Sequence, residues 1–517
     1  MPARLRAFLA RHPLLRDALV WAIPALVFGA TLRLLLVSYL PYAFWGADSR
    51  SYYSFAHKVI TEGYVSLDEK RRYLYPLLML PVSLLPGAPL RWIAIFQHAL
   101  GVATLVPLAY VVRKTLVHWR LWIIPVTVLY AGLPITLWYE HELLGENVFF
   151  ALLVWAFAGW VAWAGEDRPA RMHRLFWCFF VPFALFLLTK PSGRFVWPGV
   201  VVGLVLIAAW RRLVPREIVA LAALVLVTLT VGSKKQGAWL LYTATFPLTQ
   251  LEAPLHADYK AQIRDLVEPL ARNPGVYYLF DDEPFAFLER PGDHPDRPLW
   301  QRLGSDEKLK SKIYMDLAIE AIKARPLMFV GFGLQRAVAS SNLSSFGVQR
   351  FTGEYYRGRS AGRYAEAQRV EKGAVRLAHA LPMRGELPTY EEFNHRLDPV
   401  PGSWCERVVR TWVGWIGEAL DFSTMPRVAK EERRITLARP TLLGCWLVAG
   451  ALLAFLPRYF RTLGVWTIVA AGYALGVFIV SQTNARYFGP VWPVLVVLLA
   501  VPADVLARIV VAAWERK

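Results

Sequence analysis

The chain has 517 residues, of which 56% are hydrophobic and 19% are charged, and its formal net charge is +19. A soluble domain carries roughly a quarter charged residues, so this composition excludes a soluble globular protein. Apolar stretches long enough to cross about 30 Å of hydrocarbon recur along the chain. The sequence therefore predicts an all-α polytopic membrane protein.

About ten apolar segments are predicted to cross the membrane. Basic residues are concentrated in every second interhelical turn, and this pattern places those turns and both termini in the cytoplasm. The basic residues are therefore explained by the orientation of the helices in the membrane, and nucleic acid is excluded as a partner. The predicted location is a bacterial inner membrane. The first span is longer than the apolar part of a signal peptide and lacks a small-x-small cleavage site, which predicts that it is retained. The predicted spans are residues 17–40, 90–112, 121–138, 147–165, 175–189, 194–210, 218–233, 440–456, 464–481 and 486–509.

This topology divides the chain into three parts. An N-terminal transmembrane module (1–233) includes a first outer loop at 41–89, an outer region follows at 234–438, and C-terminal transmembrane helices occupy 439–517. Across the whole sequence there is no phosphate-binding loop, dinucleotide fingerprint or zinc-ligand spacing.

The first outer loop contains Asp48 directly after the first span. A charge near bilayer depth is unfavourable by several kcal/mol unless it is paired or hydrated, so an acid in this position indicates a functional site. Asp48 is also placed to cap a short helix that begins after it, and the two roles are compatible. Later in the loop, residues 77–85 are apolar but too short to cross, which predicts a re-entrant or interfacial segment.

Polar residues at the ends of later spans are predicted to face the same outer side. The ordinary alternatives are solvation of the acids in a short loop and snorkelling of the cations to the interface. Taken together, they predict a cavity that binds an anion and deprotonates a second molecule. The cations suit a phosphate diester, because arginine offers a planar fork and lysine a point charge. The residues at or beside span ends are Glu140, His141, Glu142, Glu146, Lys190 and Arg486, and Arg71 and Arg72 of the first outer loop add to the cations.

Two helices are predicted in the outer region, at Ser305–Arg325 and Trp404–Leu420. The second carries too many charges to span, so we expect it to lie in the interface with its tryptophan face in lipid. Residues Pro326–Leu343 are apolar enough to dip into the bilayer. A crossing there would reverse the last three spans and break the charge pattern, so it is predicted not to cross.

Several stretches share an order and spacing that is specific when they are taken together. They are an acid with an aromatic tail (Asp48–Ala56), a basic residue before Tyr-Pro (Arg72–Pro76), a glutamate before an aromatic span (Leu143–Phe149), a Lys-Pro turn (Leu188–Gly193) and an Arg-Tyr-x-x-Pro-x-x-Pro helix (Asn484–Pro493). They resemble the polyprenyl-phosphate-sugar-dependent glycosyltransferases of the GT-C class, which include protein O-mannosyltransferases and lipid A aminoarabinose transferases. The resemblance covers about residues 15–200 and 440–500.

The resemblance implies transfer of a sugar from a polyprenyl-phosphate donor to a hydroxyl group of a glycan, lipid or protein on the outer face of the membrane. Asp48 would be the general base, and inversion at the anomeric carbon would follow. Asp48-Ser49 departs from the Asp-Glu of several relatives, and few further carboxylates are at hand. We therefore expect no metal or other cofactor. The donor phosphate would be bound by Arg71, Arg72, Lys190 and Arg486, and supporting or acceptor-side roles would fall to Tyr52, Tyr75, Glu140, His141, Glu142, Glu146 and Tyr487.

Two alternative functions stay open at the level of sequence. An O-antigen ligase or polymerase would depend on outer-loop Arg and His, and Asp48 would be dispensable. A transporter or lipid flippase would use the acid as a coupling site and would need a gradient. No internal repeat of the kind found in inverted-repeat transporters is visible in the sequence.

Overall fold

A computed structural model describes residues 10, 12–41, 43–44, 49, 52, 74–83, 85, 89–206, 213–230, 238, 241–242, 244–271, 306–341, 343, 351, 403–423, 440–480 and 488–515. These residues are almost entirely helical, and the β-type pairs among them are two isolated bridges. The helices are α1 (Pro13–Tyr39), α2 (Leu74–Ser83), α3 (Pro89–Ala103), α4 (Leu105–Thr115), α5 (Trp119–Ala131), α6 (Pro134–His141), α7 (Glu146–Ala164), α8 (Pro169–Thr189), α9 (Trp197–Leu206), α10 (Pro215–Thr230), α11 (Ala257–Ala271), α12 (Glu307–Ala324), α13 (Pro326–Ser341), α14 (Trp404–Ala419), α15 (Leu442–Leu453), α16 (Val465–Val480) and α17 (Trp492–Trp514).

Six helical segments in the described part of the chain are long and apolar enough to cross a membrane. A seventh crossing arises if the bent pair α5 and α6 forms one span. The six coincide with predicted spans, which confirms an all-α membrane protein. The remaining predicted spans contain the shorter helices α9, α10 and α15, so the count of about ten stays a prediction. Apolar side chains such as Leu34, which is 71% exposed, cover the outside of the bundle, where lipid would contact them.

The break between α5 and α6 lies at Gly132-Leu133-Pro134 and bends the pair by 46°. Pro134 has no backbone N–H to continue the helix from α5. Gly132 admits the indole of Trp412, because a Cβ there would lie 2.2 Å from its Nε1 atom. That Nε1 donates a hydrogen bond to the Gly132 carbonyl at 2.9 Å. The bend turns α6 so that Glu140, close to its C-terminal end, reaches α1 and α3.

Helices α7 and α8 form the most extensive helix pair of the bundle. Phenylalanine and tryptophan rings fill the space between them, and the rings of Phe149 and Phe186 stack at 4.1 Å. Because the turn that joins the two helices lies at the other end, the first residue of α7 and the residue after α8 come together. Those residues are Glu146 and Lys190.

The helix predicted over Trp404–Leu420 is confirmed as α14, but its environment differs from the prediction. Val409, Val413 and Ile416 are buried in protein, where α14 packs against α1, whereas Trp415 is 61% exposed. The prediction that the whole tryptophan face contacts lipid was therefore wrong for Trp412, whose indole lies against α1 and the α5–α6 break. An amphipathic pattern locates an apolar face, but lipid and a membrane-protein interior are both apolar.

The helix predicted over Ser305–Arg325 is confirmed as α12, which Asp306 caps by accepting hydrogen bonds from the backbone N–H groups of the second and third helical residues. Its buried face contributes Tyr314 and Leu317 to a small core with Tyr242 and residues of α11. Burial raises the pKa of the Tyr242 phenol well above its ordinary value, so the hydroxyl stays neutral. Helix α13, over the stretch predicted not to cross, packs along α16 and is not among the candidate spans of the described chain.

Candidate active site

The acids between α6 and α7 lie inside the protein. Glu140 is 3% exposed, His141 1%, Glu142 9% and Glu146 1%. The alternative that Glu140 and Glu142 are solvated in a short loop is therefore excluded. Buried charges must be paired and hydrogen-bonded, so each of these side chains requires an identified partner.

Glu140 forms an ion pair with Arg33, which lies in the C-terminal third of α1. The guanidinium is bidentate, with Nε 2.6 Å from one carboxylate oxygen and Nη2 2.6 Å from the other. Nη1 donates to the carbonyl oxygens of Gly29 at 3.0 Å and Ala131 at 2.9 Å. A planar fork that donates hydrogen bonds from all three of its nitrogens is a geometry that lysine cannot supply. Sequence reasoning missed Arg33, although a lone cation in an apolar span is itself a signal of a buried acid partner.

Two histidines extend this pair towards the first outer loop. His98 Nδ1 lies 3.1 Å from Glu140 Oε2, and His98 Nε2 lies 3.1 Å from His141 Nδ1. If both rings are neutral, His98 donates its Nδ1–H to the Glu140 carboxylate, and its Nε2 atom carries no hydrogen. Nε2 of His98 then accepts a hydrogen bond from the ring Nδ1–H of His141. Gly101, one turn after His98, leaves room for the carboxylate, since a Cβ there would lie 2.1 Å from Glu140 Oε1. Arg33, Glu140, His98 and His141 therefore form a continuous buried chain.

Gln97 of α3 connects its own helix to the acid turn at Glu140–Glu142 and to α2. This residue was not predicted from the sequence. Its Nε2 donates to the carbonyl oxygens of Glu140 and Glu142, both at 2.9 Å, while its Oε1 accepts from the Tyr75 hydroxyl at 2.7 Å. Trp138 Nε1 donates to the Glu142 carboxylate at 2.9 Å. These bonds fix the main chain of the acid turn and attach Tyr75, at the start of α2, to it.

The chain on both sides of Asp48 is bonded to the same turn. The Phe44 N–H donates to the His141 carbonyl at 2.7 Å, and the Leu143 N–H donates back to the Phe44 carbonyl at 2.9 Å. After Asp48, the Ser49 hydroxyl donates to the Leu143 carbonyl at 2.8 Å. The ring of Tyr52 then meets that of Tyr75 edge to face at 5.1 Å.

Five of the predicted site residues lie outside the described residues, namely Asp48, Arg71, Arg72, Arg486 and Tyr487. The helix predicted after Asp48 is described only at Ser49 and Tyr52. The contacts described above bring Tyr52 and Tyr75 to the turn that carries Glu140, His141 and Glu142. The remaining two predicted residues, Glu146 and Lys190, form an ion pair with each other.

Lys190 and Glu146 form a buried ion pair between the end of α8 and the start of α7. Lys190 is 9% exposed, which excludes simple snorkelling of this lysine to water. Its ammonium group is thus held by a carboxylate, and a phosphate would have to share it with Glu146. Within the described residues, no three His, Cys, Asp or Glu side chains are placed to hold a metal ion together.

No family model and no curated protein sequence matches this chain. Among solved structures, the chain is similar to ArnT from Cupriavidus metallidurans bound to undecaprenyl phosphate, with a TM-score of 0.35 and 14% identity over 93% of this chain and 78% of that one. It is similar to the apo state of the same protein with a TM-score of 0.34 and 15% identity over 94% and 78%. Function is therefore inferred from the residues of this chain.

Proposed function

We propose that the protein is a membrane glycosyltransferase of the GT-C type, which transfers a sugar from a polyprenyl-phosphate donor to a hydroxyl acceptor. The observation that carries the proposal is the attachment of Phe44 and Ser49, on either side of Asp48, to the buried turn at His141–Leu143. A chain segment that must position a catalytic carboxylate needs such rigid support. The order of the sequence motifs supports the same class.

Asp48 is the proposed general base. It accepts the proton of the acceptor hydroxyl as that oxygen attacks the anomeric carbon of the sugar. The bond between the anomeric carbon and the phosphate oxygen breaks at the same time, and the polyprenyl phosphate leaves with the electron pair. A single displacement of this kind inverts the anomeric configuration. Proton removal by a positioned base contributes about 10²–10⁴-fold in rate.

The leaving phosphate carries negative charge, so cations rather than a general acid complete the reaction. Arg71, Arg72, Arg486 and Lys190 are the proposed donor-binding groups. The ion pair with Glu146 holds Lys190 in a site from which water is largely excluded, where a fixed cation stabilises charge more strongly than it does in water. The developing phosphate would share the ammonium group with Glu146, so no charge needs to move into place during the reaction.

The chain from Arg33 to His141 has a positioning role in this proposal. It fixes the His141 carbonyl, which accepts the Phe44 N–H four residues before Asp48. Gln97 fixes the neighbouring carbonyls of Glu140 and Glu142. These residues act through the backbone and do not themselves contact the donor. The proposed reaction needs no metal, and the site is on the outer face of an inner membrane with both termini in the cytoplasm.

The test is sugar transfer by purified protein in detergent, with a synthetic polyprenyl-phosphate sugar and no gradient. We expect product with inverted anomeric configuration by NMR, unaffected by a chelator. A transporter or flippase gives no product under these conditions. Undiminished transfer by Asp48→Asn, with loss of activity on replacement of outer-loop Arg or His, would instead identify an O-antigen ligase or polymerase.

A further inference from the structure

A basic cavity lies at the end of α7 that is opposite to Glu146. Helix α7 has 19 residues and spans about 28 Å, so the cavity and the candidate active site lie near opposite faces of the membrane. The cavity has a volume of about 230 Å³. Its polar lining comes from three segments that are distant in sequence, and its charged members are Lys114, Asp167, Arg458 and Arg461.

The positive charge of this cavity is poorly compensated. In the described part of the chain, neither Lys114 nor Arg458 has a carboxylate within 4.0 Å, and Arg461 reaches Asp167 only at 3.9 Å. The neighbouring Arg113, by contrast, makes two hydrogen bonds to Asp17, both at 3.2 Å. Three cations therefore face a single exposed acid, Asp167, in this cavity. Their excess positive charge would favour binding of an anion.

The backbone that carries Arg461 is fixed in an uncommon conformation. Phe460–Gly464 forms a π-helical turn, and such turns are frequent at functional sites. Trp160 of α7 donates its indole N–H to the Arg461 carbonyl at 3.0 Å, which locks the turn against the bundle. Below the turn, the Tyr459 hydroxyl donates to the buried carboxylate of Asp504 at 2.8 Å. The backbone that forms this wall of the cavity is therefore fixed by packing against the bundle, while the Arg461 side chain stays 55% exposed.

The surface beside the cations is apolar. Leu452, Phe455 and Leu456, which closely precede Arg458, are 67%, 44% and 41% exposed. A ligand that carries both a phosphate group and a hydrocarbon chain would contact the cations and the apolar residues together. A free anion would contact only the cations. Basic pockets between transmembrane helices on the cytoplasmic side suit anionic lipid head groups, and the charge pattern predicts that this end is cytoplasmic.

We propose that this cavity binds a phosphate-bearing anion at the membrane surface, and that its source is the head group of an anionic phospholipid. Lys114, Arg458 and Arg461 bind the phosphate oxygens by charge-assisted hydrogen bonds. The acyl chains lie along the exposed apolar residues before Arg458. The site is separate from the proposed glycosyl transfer and does not depend on it.

The experiment titrates purified protein in neutral detergent with dioctanoyl phosphatidylglycerol and follows binding by thermal shift. Inorganic phosphate and dioctanoyl phosphatidylcholine form the other two arms. Each basic residue near a lipid surface contributes about fivefold in affinity, so the variant Lys114→Gln/Arg458→Gln/Arg461→Gln should bind phosphatidylglycerol about 100-fold more weakly. The matched control replaces three exposed arginines at the same end of the bundle, Arg168, Arg171 and Arg174, with glutamine.

Retained binding by the control and loss by the triple variant support the proposal, and phosphatidylcholine should not bind. If inorganic phosphate stabilises the protein through the same three cations and phosphatidylglycerol does no better, the anion site stands and its source is free phosphate. Equal binding by the triple variant and the wild type overturns the proposal, as does equal loss in the control. If the triple variant melts early without ligand, the single Arg458→Gln variant, altered at an exposed side chain, gives the same comparison with a fivefold effect.

Discussion

Replacement of Arg33 with methionine is the most demanding test of the buried network. It leaves the Glu140 carboxylate, which is 3% exposed, without the guanidinium that binds both of its oxygens at 2.6 Å. Removing one partner of a buried ion pair costs about 3–5 kcal/mol, because the other charge stays buried. A typical native state is stable by only about 5–15 kcal/mol, so we expect a large fall in melting temperature.

The assay is a double-mutant cycle on the free energy of unfolding in detergent, with Arg33→Met, Glu140→Met and the combined variant. The combined variant should be more stable than Arg33→Met, because neither member of the buried pair is left without its partner. The control is Arg16→Met, whose contact with Asp17 at 3.2 Å lies at a side chain that is 55% exposed; it should cost at most about 1 kcal/mol. A normal free energy of unfolding for Arg33→Met, or strictly additive losses in the cycle, would refute the reasoning.

Two further predictions concern space and charge in the same region. Gly101→Ala should destabilise by about 1–3 kcal/mol, since its Cβ would lie 2.1 Å from Glu140 Oε1, whereas Gly145→Ala, with nothing nearer than 3.4 Å, should melt like the wild type. Equal melting temperatures for the two variants would contradict the tight approach at Gly101. Lys190→Gln should lower kcat/KM for the donor by about one to two decades, and Glu146→Gln, which keeps the cation, should lower it by less than tenfold. Equal losses in both would show that the pair is only structural.

Much of the fold could be predicted because the bilayer sets the length of apolar helices. Helices α1 and α7 coincide closely with predicted spans, whereas α17 begins six residues later than its predicted span. The bend at Gly132–Pro134 could not be located from hydropathy, since both halves are apolar. The lipid-facing prediction for Trp412 failed for a related reason, because hydropathy does not distinguish a lipid neighbour from a buried protein neighbour.

The candidate site could be predicted where charged residues lie at helix ends, as with Glu146 and Lys190. Their direct pairing did not follow from sequence, because it depends on how α7 and α8 align. Arg33 and Glu140 are separated by 107 residues, and the sequence around each residue does not indicate which residue it pairs with. Gln97 acts through main-chain carbonyls, which leave no pattern of side-chain types to find.

The measurement that tests the central claim most directly is sugar transfer by Asp48→Asn. A helix cap needs only an acceptor oxygen, so a capping role predicts normal melting and nearly normal transfer by this variant. A general base must accept the proton, so we expect Asp48→Asn to fold and bind donor but to lose at least about a hundredfold in rate. Asp17→Asn, at the opposite end of α1, is the matched control and should keep wild-type turnover. An Asp48→Asn variant that melts normally and transfers sugar at the wild-type rate would contradict the account.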